Sequence, residues 1–258
     1  MTSRYKKGIY FLPTLFTVAN VFCGFYAIIA SMRKDTELAA ALIGLAILFD
    51  ILDGRVARMA NATSDFGREF DSLADVISFG VAPGILLYSW GLHLMNRVGW
   101  LACFLFVICG AMRLARFNIQ QKYVDKRFFV GLPIPAAAGV PAALVFMFPQ
   151  PLESPAQAAP ALALVVVLTF LMVSTFRYYS FKDFDLRRRQ SYITVLLLAL
   201  LFVAVGSHPQ TMLLLMAGAY LVSGPALKVY SLFRKSHRKP GSQDEPLATS
   251  SASKGIDG

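Results

Sequence analysis

The stretch from Asp50 to Asp75 reads DILDGRVARMANATSDFGREFDSLAD. Asp50 and Asp53 stand three residues apart; Asp71 and Asp75 stand four apart. On a helix, residues at these spacings share one face, so each pair projects to one side of its own helix. The flanks are apolar, Ala46 to Phe49 before and Val76 to Ala82 after. The link from Gly54 to Gly67 lets the two helix ends face each other. Four carboxylates converging at a membrane edge repel unless cations hold them, and an oxygen-only donor set suits Mg²⁺, Mn²⁺ or Ca²⁺. The plainer alternative is a loop salt-bridged by Arg55, Arg58 and Arg68, an odd device merely to close a turn. Asp65 and Glu69 fall off the spacing and read as solvated surface.

Outward from this stretch the chain is apolar. Of its 258 residues 56% are hydrophobic, against about 45–50% in soluble domains, and several runs approach the ~20 residues that cross a bilayer. The sequence predicts an all-α, polytopic membrane protein with eight helices, over 10–32, 37–56, 68–92, 98–118, 131–149, 157–179, 191–206 and 209–233. Pro133, Pro135 and Pro141 make the fifth irregular, and Pro225 kinks the eighth. The first apolar run is too long for a signal peptide and has no clear cleavage site. Residues 1–239 form one membrane domain. Residues 240–258, rich in Ser, Gly, Ala and acidic residues, form a disordered cytoplasmic tail. Cys23, Cys103 and Cys109 lie in apolar runs without metal-ligand spacing and read as small buried hydrophobes. His93, His208 and His237 have no partner at ligand spacing.

The formal net charge is +10, and its distribution carries the meaning. Twenty-two of the 25 Lys and Arg fall at the amino terminus, in alternate links and at the carboxy end; the other links hold Arg33, Lys34 and Arg97. By the positive-inside rule both termini and the carboxylates face the cytoplasm, in the cytoplasmic (inner) membrane. The basic excess therefore needs no nucleic acid. Part of it, such as Arg187 to Arg189, anchors the protein to anionic headgroups. In the first helix Thr14, Thr17 and Asn20 recur every three residues. They are either helix-packing contacts or a polar stripe reaching the site. Ser78, one turn past Asp75, has the same two readings.

The pattern Asp50-x2-Asp53-Gly54-x2-Ala57-Arg58-x8-Gly67-x3-Asp71-x3-Asp75 resembles the signature of the CDP-alcohol phosphatidyltransferases, with every position filled. The resemblance implies attack of an alcohol on the phosphorus nearest the diacylglycerol of a CDP-linked lipid, with CMP leaving. It implies two divalent cations, Mg²⁺ or Mn²⁺, held by Asp50, Asp53 and Asp71 with Asp75 beside them. Asp75 then also serves as general base toward the attacking hydroxyl. It places the CDP-lipid against Gly54 and Ala57, whose small size leaves room for the nucleotide, with Arg58 offering a planar fork to phosphate. Ser64 stands where the family has a hydroxyl near the phosphates. Gly67 supplies a close approach or a positive φ before the third helix, or is simply a turn glycine. With Thr14, Thr17, Asn20 and Ser78 these complete the expected CDP-lipid site. The family is commonly dimeric, so a homodimer is expected.

RLARFN, Arg113 to Asn118, and GLPIPAAAG, Gly131 to Gly139, together with the first-helix stretch, resemble the membrane-embedded phosphatidylserine synthases of bacteria and archaea. This implies CDP-diacylglycerol and L-serine as substrates. Arg113 and Arg116 are candidates for the serine carboxylate, or else topological anchors; Asn118 is a candidate for serine, or a helix cap. The same core with glycerol 3-phosphate or an inositol acceptor is the alternative enzyme. A transporter or cation channel is the alternative class, but it leaves the Gly-x2-Ala-Arg insert unexplained.

Overall fold

The computed structural model describes residues 3–59, 64–120, 128–179 and 206–236, with 196, 200, 203 and 204. Among the described residues the protein is helical apart from one small ribbon. Helix α1 spans Ser3–Met32 and α2 spans Thr36–Met59. The turn between them places Lys34 at φ 63°, and Asp35 Oδ1 accepts from the Leu38 N–H at 3.2 Å, which caps the start of α2. The two helices then pack along each other. Their seam is lined by buried Ala27, Ala30, Ala39, Ala40 and Ala46 with Ile43, small residues that let membrane helices approach closely.

Helix α3, Asp65–Asp75, runs without a break into a π-helical segment, Val76–Val81, and then into α4, Ala82–Trp90. The sequence predicts a uniform helix here, and the widened turn is the departure from it. The Ala82 N–H donates to the Ile77 carbonyl, five residues back. Pro83 has no N–H to donate, so the regular ladder is already interrupted where the π turn sits. A 3₁₀ turn, Leu92–Met95, leads into α5, Asn96–Gln120.

Strand β1, Phe128–Val130, precedes α6, Ile134–Met147, and α7, Pro155–Val173, precedes strand β2, Arg177–Tyr179. The strands pair antiparallel, Phe128 with Tyr179 and Val130 with Arg177. The expected helices over 131–149 and 157–179 are therefore shorter at these ends. Gly131 leaves the ribbon at φ 81°, and a Cβ there would run into the Met172 carbonyl and sit 3.1 Å from that of Ser174. Only glycine fits both demands. Pro133 caps α6 and Pro141 lies inside it. Helix α8, Pro209–Ser236, contains Pro225. The expected helix over 191–206 falls largely outside the described residues, and the tail 240–258 falls entirely outside them.

Among the described residues, four stretches are long and apolar enough to cross a membrane: Thr14–Met32, Asp65–Trp90, Leu92–Ile119 and Pro155–Val173. Large apolar side chains face outward on them, among them Phe22, Phe25, Leu101, Phe104 and Phe170, while alanines fill the α1–α2 seam. Apolar outside with small residues at helix contacts is the pattern of a protein solvated by lipid. The core continues through Phe79, Leu86, Leu87 and Phe106 to Ile134, Val145, Leu168 and Met172. Helix α2 packs on α6, α5 on α7 and α6 on α8.

Candidate active site

Three of the four carboxylates come together as a group. One oxygen each from Asp50, Asp53 and Asp71 lies within 4.8 Å of the others. The link is shorter than Gly54 to Gly67, because α2 continues to Met59 and α3 begins at Asp65. Gly54, Ala57 and Arg58 thus belong to α2, one to two turns past Asp50; the Arg58 side chain lies outside the described residues. Gly67 is not a positive-φ residue. It sits in the first turn of α3, where its N–H donates to Ser64 Oγ at 2.9 Å, so Ser64 is the N-cap. A Cβ at Gly67 would meet that hydroxyl at 3.0 Å, which keeps the close-approach reading. Arg68 pairs with Asp65 at 2.6 Å and reaches Glu69 at 4.0 Å on the surface, as expected for two acidic residues off the spacing.

Helix α1 brings its polar stripe to the same place. Thr17, buried, donates from Oγ1 to Asp53 Oδ2 at 3.3 Å. Asn20 is fully buried, and both its side-chain polar atoms lack a hydrogen-bond partner within the protein. Such a group costs about 1–3 kcal/mol unless something satisfies it, and Asn20 stands three residues past Thr17 on the same helix face. Thr14 precedes it on the stripe, half-buried. Ser78 serves the packing reading. It donates to the Asn20 backbone carbonyl at 3.0 Å, and Gly24 leaves the space it fills, since a Cβ there would collide with the Ser78 hydroxyl.

Two like charges 4–5 Å apart repel by about 3–4 kcal/mol at an effective dielectric near 20, so a cluster of carboxylates persists only with compensation. Two oxygens on one Mg²⁺ or Mn²⁺ lie at most about 4.2 Å apart. Neighbouring oxygens on such an ion lie closer, about 3.0 Å apart, so the three carboxylates would draw in further around it; an all-oxygen set gathered within 4.8 Å has the donor chemistry that fits a hard divalent cation. Asp75 is 7% exposed, and its Oδ1 has no hydrogen-bond partner within the protein. It lies in electrostatic reach of Asp50, Asp53, Asp71 and Arg113.

The three residues of the RLARFN stretch separate. Arg113 is buried, 6% exposed, with its guanidinium 5.0 Å from the Phe117 ring centroid, and it lies in electrostatic reach of Asp75 and Tyr220. Arg116 Nη1 donates to the Val173 carbonyl at 3.4 Å, one of the carbonyls left open at the end of α7. Asn118 Nδ2 donates to Ser72 Oγ at 2.8 Å, and Ser72 donates to the Arg68 carbonyl, bracing α5 against α3. Sequence reasoning missed Tyr220 and Tyr178. They sit in an apolar helix and a three-residue strand, and no local spacing ties either to the aspartates.

The chain belongs to the CDP-alcohol phosphatidyltransferase family, whose model matches residues 10–176. It is 39% identical over 218 residues, 84% of this chain and 90% of the relative, to a CDP-diacylglycerol–serine O-phosphatidyltransferase of Helicobacter pylori. To the Bacillus subtilis protein of the same name it is 36% identical over 174 residues, 67% of this chain and 92% of that one. To the one from Methanocaldococcus jannaschii it is 43% identical over 122 residues, 47% and 54%.

Proposed function

We propose that this membrane protein transfers the phosphatidyl group of CDP-diacylglycerol to the hydroxyl of L-serine, giving phosphatidylserine and CMP. One observation carries the reading: Asp50, Asp53 and Asp71 converge within 4.8 Å beside buried Asp75. They do so in a chain 39% identical, over 84% of its length, to a relative named for that reaction. The serine hydroxyl oxygen forms a bond to the phosphorus nearest the diacylglycerol. The bond from that phosphorus to the CMP oxygen breaks, and CMP leaves with the electron pair.

Asp50, Asp53 and Asp71 would hold divalent cations, two of Mg²⁺ or Mn²⁺, whose charge would offset that of the pyrophosphate and the leaving CMP. Thr17 orients Asp53. Asn20, Thr14 and Arg58 contact the pyrophosphate, while Gly54 and Ala57 leave the α2 surface open to the nucleotide. Ser64 and Gly67 shape the start of α3 near the phosphates, and Ser78 holds Asn20 through its carbonyl. Asp75 accepts the serine proton late, as the bond to phosphorus forms. Arg113, buried next to Asp75, is the ligand for the serine carboxylate. Arg116 and Asn118 support that end of the site through α7 and α3.

The basic residues support eight crossings of the cytoplasmic membrane, with both termini and the carboxylates on the cytoplasmic side. The working unit is a homodimer, by likeness to the family. The test is incubation of purified protein with CDP-diacylglycerol, Mg²⁺ or Mn²⁺ and one acceptor at a time. CMP release that requires L-serine supports the reading. Turnover with glycerol 3-phosphate or inositol but not serine keeps the family chemistry and removes the acceptor.

A further inference from the structure

Asp50 and Asp53 are held at a fixed spacing by their own helix, α2, whereas Asp71 comes to them from α3. The width of the three-carboxylate group is therefore set by how α3 sits against α2. Repulsion between the charges pushes the group open, so whatever fixes α3 keeps it gathered.

Helix α3 starts at an exposed N-cap, Ser64. Helix α1 packs along α3, and α5 packs along the π segment that continues it. At the level of Asp71, α5 reaches α3 by a side-chain bond. Asn118 Nδ2 donates to Ser72 Oγ at 2.8 Å, and Ser72 directly follows Asp71 in the chain. The direction of the bond is settled by the serine. Its one hydroxyl proton goes to the Arg68 carbonyl at 3.0 Å, so toward Asn118 it acts as acceptor. Both residues are half-buried, and they lie 46 positions apart. The bond thus ties the carboxy end of α5, where the RLARFN stretch lies, to the turn of α3 that carries Asp71.

We propose that Asn118 is a positioning residue for the cation site: through Ser72 it holds α3, and with it the Asp71 carboxylate, against the spread that the three charges favour. Its reach thus extends past the acceptor end of the site to the carboxylates. The inference rests on Asp50, Asp53 and Asp71 being cation ligands.

The experiment uses the full chain in detergent, without CDP-lipid, and reads Mn²⁺ binding directly from the electron paramagnetic resonance signal of the free ion. It compares the unaltered protein, Ser72→Ala, Asn118→Ala and the double variant. Melting temperatures in chelator check that each is folded, and where one single variant is not, the other decides. Loss of one neutral hydrogen bond predicts a Mn²⁺ Kd raised about 3- to 10-fold in either single variant. Both substitutions remove the same bond, so the double variant should bind about as the weaker single one does. Serine KM in Asn118→Ala, measured by CMP release at saturating Mn²⁺, should move less than the Mn²⁺ Kd. An unchanged Mn²⁺ Kd in the folded single variants overturns the inference. So do effects that multiply in the double variant, which would mean that the two residues act separately. A serine KM that rises more than the Mn²⁺ Kd also overturns it and makes Asn118 a contact for the acceptor. Absence of Mn²⁺ binding by the unaltered protein instead removes the cation reading, and the inference falls with it.

Discussion

Thr17 on α1 donates to Asp53 on α2 across 3.3 Å, so the first helix steers one of the three converging carboxylates. Groups that orient a metal ligand typically matter about 10- to 100-fold in metal affinity. Thr17→Val keeps the side-chain volume and removes the donor. Its activating concentration of Mg²⁺ or Mn²⁺ should rise about 10-fold, with near-normal rates at saturating cation. A titration of CMP release against metal concentration checks this, and an unchanged midpoint would mean the contact serves packing alone.

Asp50, Asp53 and Asp71 leave a purified protein without hard cations little reason to bind a pyrophosphate. Exhaustive chelation should abolish CMP release, and added Mg²⁺ or Mn²⁺ should restore it. Full turnover in the chelated protein would remove the metal reading of the cluster.

Asp75→Asn should separate chemistry from binding. The change keeps size and removes the proton acceptor, so single-turnover CMP release at saturating serine should fall by about 10²–10⁴. CDP-lipid affinity should weaken modestly, whereas Asp53→Asn should damage metal and lipid binding together. If Asp75→Asn keeps its single-turnover rate, the base lies elsewhere.

Gly24→Ala drives a methyl group into Ser78 and its backbone. Overpacking of this kind costs about 1–3 kcal/mol, so the melting temperature in detergent should drop clearly. Gly44, whose added Cβ meets nothing within 4 Å, is the control: Gly44→Ala should leave it near its original value.

A fluorescent reporter that matures only in the cytoplasm, fused after Gly258, should light up, because 22 of the 25 basic residues fall in segments assigned to that side. A dark fusion paired with an active extracytoplasmic reporter would overturn the even number of crossings.

Much of the site could be read from the chain because its residues repeat at helical spacing. Asp50 with Asp53, Asp71 with Asp75, and Thr17 with Asn20 each lie on one helix face whatever the rest of the protein does. Bringing Thr17 to Asp53 needed only the packing of two consecutive helices. The π turn after Asp75 was not legible, since it depends on which carbonyl the Ala82 N–H chooses and on the missing N–H of Pro83. The ribbon was hidden because each strand has three residues and their partners lie 47 to 51 positions apart. GLPIP reads as a motif, yet Gly131 is required there by its backbone angle and by the Met172 carbonyl. Tyr178 could not be placed locally, because its ring packs on Tyr220 and into the notch at Gly224 at long range.

The pairing of Phe128 to Val130 with Arg177 to Tyr179 also imposes a parity rule. Hydrogen-bonded strands lie on the same side of a bilayer, so the chain between them must cross an even number of times. Helix α7, 19 residues long, is able to cross. A crossing by α7 therefore obliges a return by the stretch between Val130 and Pro155, whose helix α6 has 14 residues and spans about 21 Å at 1.5 Å per residue. With a hydrocarbon core of about 30 Å, that return draws on the extended residues at both ends of α6 or on a locally thinner bilayer.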